Sequence, residues 1–305
     1  MIDERNFRSS YYEKVGFRSV EEKKSLEMLL RDRPFDKAKL KQFCLRFTVP
    51  AMYRTLVWKI LFGIIPIYEE SHDFVMKQRT QEYHDLKEAL RNAKVADNTT
   101  KQHQMFVMMW LLRSRRAKID MTLQLETQML KAMCRLAESL WSISETEIEG
   151  KMVDMYWILS GFLDQVQKFN CEIERLRECM SSMLEKEDKE LHNHLTSIEC
   201  LQILPLESWF YSCFAGTISD CSIIKIWDKI SVGAYRILVF VAIVMLTTTR
   251  RCILRCNSAD RVLEVINNIT EETSEVIVNK AIESWQQSGS VSLYSQNPTP
   301  YTINT

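Results

Sequence analysis

Glycine is almost missing from this chain. Its 305 residues include seven, at positions 16, 63, 150, 161, 216, 233 and 289, and the nearest two stand 11 apart. GxGxxG, GxxxxGK and GxSxG all need glycines a few residues from one another, for tight turns and for close approach of backbone to phosphate or nucleophile. None of them can be written anywhere in this sequence, so nucleotide-cradling loops and nucleophile elbows are excluded. Prolines number only six. With so few breakers, apolar residues recur at 3.6-residue spacing over long stretches, and the expected fold class is all-α.

Start and stop signals place the expected helices. Ser19 and Glu22 form a capping box ahead of Leu26, Leu29 and Leu30. Asp36 is placed to cap a helix carrying Leu40, Phe43 and Cys44, and Pro50 to stand as the first residue of a helix that Gly63 ends. A polar helix runs from Ser71 to about Val95, and 97–101 reads as a loop. Further helices are expected near 102–116, 121–141, 145–169 (with a second capping box, Ser144 and Glu147), 172–186 and 189–198. The last third carries patterns near 206–215, 219–231, 234–249, 257–267 and 271–287. We expect one multi-helical domain over 1–285, with an N-terminal helical extension over about 1–45, and a disordered tail over 286–305, where periodicity is lost.

Charge and cysteine narrow the function classes. Forty basic side chains balance forty acidic ones, so no net field marks a nucleic-acid partner. Nine cysteines, an odd number without a CxxC pair, sit in a chain whose first residues are too charged for a signal peptide. That pattern reads as a reducing, intracellular protein. The longest apolar run, Ile237 to Leu246, has ten residues where a membrane span needs about 20, so it reads as a core helix and no transmembrane segment is expected.

Candidate chemistry is sparse. His192 and His194, two apart on a helix, point about 200° from one another and cannot grip one ion. Cys252 and Cys256 share a helix face without a second ligand pair, which favours packing. No metal or cofactor is expected. Arg113, Arg115, Arg116 and Lys118 make the densest basic cluster; it reads as a solvated helix end, a phosphoinositide contact or a catalytic arginine on a loop. The run Met105 to Leu112 is apolar at every position. Either it is enclosed on all sides, or one face, carrying Met105, Met108, Met109 and Trp110, meets a partner.

Two segments are more specific. The first holds Arg54 and Trp58, one turn apart, so that the guanidinium can lie on the indole face. The second runs Ile224-Lys-Ile-Trp227-Asp228-Lys-Ile-Ser-Val-Gly233, preceded by Trp209 to Phe214. In that order they resemble the TBC domain family, all-helical activators of Rab GTPases. Asn6 to Arg18, Val20 to Leu26 and Tyr235 to Ala242 resemble the branch of that family that joins the tuberous sclerosis complex. The resemblance implies a partner in the hamartin coiled coil, beside tuberin, the subunit that activates the GTPase Rheb and restrains mTOR signalling. It also implies a cytoplasmic protein, peripheral on lysosomal or vesicle membranes through that complex.

Active members of the family supply an arginine finger from IxxDxxR and a glutamine finger from YxQ. Here no aspartate is followed by arginine three residues later, and the only YxQ is Tyr294-Ser-Gln296, beyond the second motif. An arginine finger is worth about 10³–10⁵ in rate, so the expected function is a TBC scaffold without TBC catalysis, an adaptor and not an enzyme. The alternative is a working Rab activator in which Arg113, Arg115 or Arg116 replaces the arginine and Gln124 or Gln128 the glutamine. A third reading is a helical interaction module that borrows only the fold.

Overall fold

The computed structural model describes residues 20–118, 120–144 and 149–289. In chain order its helices are α1 (Val20–Arg31), α2 (Lys37–Arg46), α3 (Ala51–Phe62), α4 (His72–Asn92), α5 (Gln102–Arg113), α6 (Met121–Leu125), α7 (Gln128–Ser144), α8 (Glu149–Phe169) and α9 (Ile173–Glu187). They continue with α10 (Lys189–Ser197), α11 (Cys200–Ile203), α12 (Leu206–Tyr211), α13 (Asp220–Ile230), α14 (Ile237–Thr248), α15 (Arg250–Ile253), α16 (Ala259–Asn267) and α17 (Glu271–Gln287). Among the described residues there is no strand, only one isolated bridge between Ala215 and Ile218. The all-α expectation holds.

Local signals explain several boundaries. The Asp36 carboxylate accepts from the Lys39 amide at 3.0 Å and starts α2. Pro50 stands one position earlier than expected: it is the cap, in extended backbone, and Ala51 is the first helical residue. Gly63 stops α3 in the left-handed region at φ +72°, where a Cβ would be strained. The loop at 97–100 is an Asp turn, with Asp97 accepting from the Thr99 and Thr100 amides. The single helix expected over 121–141 is two. Thr127 interrupts it, and its carbonyl takes the first hydrogen bond of α7 from the Lys131 amide at 2.8 Å. Ser144 is the last residue of α7 and not a helix start; Glu147, like Ser19, lies outside the described residues.

Two apolar clusters hold these helices. The smaller gathers Leu26, Leu30, Leu40 and Phe43 from the N-terminal helices, and Phe35 between them, with Val57, Ile60 and Leu61 of α3. Trp58, one turn from Arg54 on another face of α3, enters the main core instead. So α3 is shared between the clusters. At the centre of the main core lies α14, buried at every position from Ile237 to Leu246. It packs on α17, whose Ile277, Val278, Ala281 and Trp285 are fully buried. A helix apolar on all sides is one enclosed on all sides, and no helix among the described residues is long and apolar enough to cross a membrane.

The run in α5 behaves the same way, which corrects the partner-face expectation. Met105, Met108, Met109 and Trp110 are at most 3% exposed, and Phe106, Val107 and Leu111 between them are equally covered. Packing of α4, α7 and α8 around α5 accounts for its lack of a polar face.

Candidate functional site

The two specific motifs meet at one carboxylate. Asp228 is completely buried on α13 and collects donors from α3 and the segment before it. Its Oδ1 accepts from Arg54 Nε at 3.0 Å and from Trp58 Nε1 at 3.1 Å. Its Oδ2 accepts from the Val49 amide at 3.0 Å and more distantly from Arg54 Nη2 at 3.4 Å. Arg54 Nη2 also donates to the Val49 carbonyl. The expected Arg54–Trp58 stacking exists at the edge of its range, 5.9 Å from guanidinium carbon to ring centre. The stronger tie between these residues is the shared carboxylate.

The neighbours of Asp228 do related work. Trp227 donates its indole N–H to the Cys213 carbonyl at 3.0 Å. Lys229, also fully buried, donates to the carbonyls of Cys44 and Phe47, just where α2 ends and helix carbonyls lack partners. Three successive residues spread around a helix, so α13 is fastened to three different parts of the chain at once. Gly233 follows at φ +89° in the turn after α13. Burial, with Asp228 nearby, pushes the Cys44 thiol far up, so that cysteine is an inert core residue. This assembly has the form of a structural joint: the Asp228 carboxylate is fully buried and both of its oxygens are taken by donors of the protein.

The basic cluster divides. Arg113 is turned onto α8, where Nη2 donates to Ser160 Oγ at 2.7 Å and to Asp164 Oδ2 at 3.0 Å. Trp110 Nε1 donates to the other oxygen of Asp164 at 2.8 Å. The Arg113 guanidinium also lies 5.4 Å from the Trp157 ring centre. Close by, burial drives the Tyr156 phenol well above its ordinary value. Arg115 and Arg116 are exposed on the loop after α5, Arg115 at φ +56°. Gln124 pins that loop, accepting from the Lys118 amide at 2.9 Å and donating to the Arg116 carbonyl at 3.0 Å. Gln128 is exposed at the start of α7. Among the described residues no hydrogen bond joins the guanidinium of Arg113, Arg115 or Arg116 to the side chain of either glutamine.

The histidine pair is split as helix geometry requires. His192 Nε2 approaches Ser181 Oγ at 3.4 Å, while His194 Nε2 meets the Ile253 carbonyl at 3.1 Å. Cys256 donates to the Cys252 carbonyl at 3.3 Å. Sequence reasoning missed Lys229, Asp164 and Val49. For Lys229 a signal was present: two charges inside Ile226-Trp-Asp-Lys-Ile230 sit in an apolar helix and require buried partners.

Comparison with known proteins fits this architecture. The Rab-GTPase-TBC domain matches residues 121–254, a span that holds Asp228 but stops short of its donors on α3. TBC1 domain family member 7 of Bos taurus is 39% identical over 285 residues, covering 93% of this chain and 95% of that protein. The Homo sapiens protein of that name is 38% identical over 287 residues, with the same coverage. Among solved structures, the Ypt/Rab-GAP domain of Gyp1p aligns with a TM-score of 0.57 over 88% of this chain and 99% of its own. A Chlamydomonas flagellar RabGAP TBC domain aligns with a TM-score of 0.58 over 92% and 95%. Both are 14% identical, a likeness of fold alone. With more than a third of its residues shared with the curated relatives over nearly its whole length, the chain belongs to the TBC domain family.

Proposed function

We propose that this chain is a non-catalytic TBC-domain adaptor. In this reading it binds the hamartin coiled coil beside tuberin and supports activation of Rheb GTP hydrolysis, hence negative regulation of mTOR signalling. It would work in the cytoplasm, peripheral on lysosomal or vesicle membranes through that complex. The observation that carries the reading is the missing pair of fingers. No IxxDxxR exists in the sequence. Of the candidate substitutes, Arg113 is held by Asp164 and Ser160, and Gln124 uses both ends of its amide on loop backbone. A finger must be free to reach the transferred phosphoryl and its water. Similarity to TBC1 domain family member 7 supports the same assignment.

Exposure of Arg115 and Arg116 favours one rival, a Rab activator with a relocated arginine. Two measurements separate them. Calorimetry with the C-terminal coiled coil of hamartin from the same organism should give micromolar or tighter binding with a defined stoichiometry. Single-turnover GTP hydrolysis by a Rab panel should be unchanged on adding the protein. A rate enhancement that Arg115→Ala or Arg116→Ala abolishes would overturn the adaptor reading, as would absence of hamartin binding when both partners are folded.

A further inference from the structure

Three ammonium groups gather beside the turn that ends α3. Lys37 and Lys41 stand one turn apart on α2 and share a face. Lys37 Nζ reaches across to Gly63, 3.9 Å from where a Cβ on that glycine would sit. Lys168 comes from the last turn of α8, two helical turns beyond Gly161, where α8 meets Phe62 at the end of α3. Lys37 is half-buried, while Lys41 and Lys168 are exposed. Burial first, then the charges of Lys41 and Lys168, hold the Lys37 ammonium below the ordinary lysine value. No carboxylate among the described residues offsets them. The acidic side chains nearest in sequence are engaged elsewhere: Asp36 pairs with Lys39, Asp164 with Arg113 and Glu172 with Arg175.

We propose that Lys37, Lys41 and Lys168 bind a multiply phosphorylated anion of the inositol phosphate class, carried on a lipid headgroup or free in solution. Like charges brought together repel, and a half-buried one is costly to leave unpaired. The carbonyl end of α3 supplies about half a negative charge there, too little for three cations. A compact ligand bearing several phosphates supplies the rest. Lysine suits it, because an ammonium meets phosphate as a mobile point charge and not through a fixed fork. Cations arriving from two helices face one centre, which fits phosphates set around a small ring better than the extended backbone of a nucleic acid. The chain as a whole is neutral, with forty basic and forty acidic side chains. The attraction is therefore local to this face and not a general affinity for polyanions.

The test uses the full chain, with inositol hexakisphosphate as the soluble probe and titration calorimetry as the readout. Each lysine near an anionic headgroup is worth about fivefold in affinity, so Lys37→Gln/Lys41→Gln/Lys168→Gln should weaken binding by about a hundredfold. Lys168→Gln alone, at an exposed position, should weaken it about fivefold, which keeps the test open if the triple variant unfolds. Lys186→Gln/Lys189→Gln/Lys280→Gln removes the same charge from exposed positions on α9, α10 and α17 and should bind as wild type does. Flotation with phosphatidylcholine vesicles carrying phosphatidylinositol bisphosphate, against vesicles matched in charge with phosphatidylserine, identifies the source. Capture by the former alone, lost in the first variant, assigns a lipid headgroup. Binding of the soluble probe alone assigns a free inositol phosphate. Equal weakening in the two triple variants, equal capture by both vesicles, or no binding of either probe would overturn the proposal.

Discussion

Asp228 concentrates more structural consequence than any other single side chain described. Removing it would leave a buried guanidinium, an indole N–H and a backbone amide without their acceptor. Breaking a buried, hydrogen-bonded charge pair from one side costs about 3–5 kcal/mol, so Asp228→Ala should lower unfolding stability by that amount in urea titration. Asp228→Asn, which keeps the shape and one acceptor oxygen, should cost less; equal losses would mean that the charge, not packing, holds the joint. Sequence inspection picked out Arg54, Trp58 and Asp228 separately, through their resemblance to a family pattern. It did not join them, because 170 and more residues separate the aspartate from its donors, and helical periodicity carries no information over that distance. Local reasoning supplied a neighbour within one turn, the Trp58 ring, where the dominant partner was remote.

Between elements, α3 and α8 approach closely at Gly161. A Cβ built on Gly161 would fall 2.4 Å from the Phe62 ring, which itself sits edge-on to Phe162 at 4.9 Å. Gly161→Ala should therefore destabilise by about 1–3 kcal/mol, as overpacking does, and Phe62→Leu in the same chain should recover part of the loss. Thermal unfolding of the two single variants and the double variant checks this. At the α9–α10 junction, Asp188 accepts from the Leu191 amide at 3.0 Å and from Arg250 Nε at 2.6 Å. Burial works to raise its carboxyl, but the amide and the guanidinium outweigh it and hold the group below the ordinary carboxylate value. A depressed native value means stability that is present above about pH 4, the unfolded range, and is lost as pH falls through the lower native value. Asp188→Asn should flatten that acid limb in melting temperatures measured from pH 2.5 to 7. The loop after α5 gives a subtler expectation. Gln124→Ala should cost no more than about 1 kcal/mol, yet hydrogen exchange at the Lys118 amide should quicken, since that side chain is its acceptor among the described residues.

Across the whole molecule, the sequence was most readable where one helix met one simple rule. Scarce glycine implied helices, Ile237 to Leu246 implied an enclosed helix, and Asp36 and Gly63 marked real ends. It was least readable where two outcomes share one pattern. Eight apolar residues from Met105 to Leu112 suit a partner face as well as a core helix, and only the packing of α4, α7 and α8 around α5 decides for the core. The basic cluster was ambiguous for the same reason: one arginine found an aspartate on α8, and two stayed in solvent. At 286 the expected tail overlaps the helix expected over 271–287, and that residue belongs to α17. Gln286 remains helical and donates to the Arg46 carbonyl at 2.8 Å, 240 residues away.

That last hydrogen bond has a consequence for synthesis. The end of α2 is closed by α17, more than 200 residues later in the chain, and Trp285 is part of the same core as Leu45. During translation the face of α14 that packs on α17 has no cover until α17 emerges, so a nascent chain must wait with that face of its central helix uncovered. Long-range closure of this kind slows folding and lengthens exposure to aggregation. A ribosome paused before α17 has left the exit tunnel would therefore hold a chain that needs a chaperone.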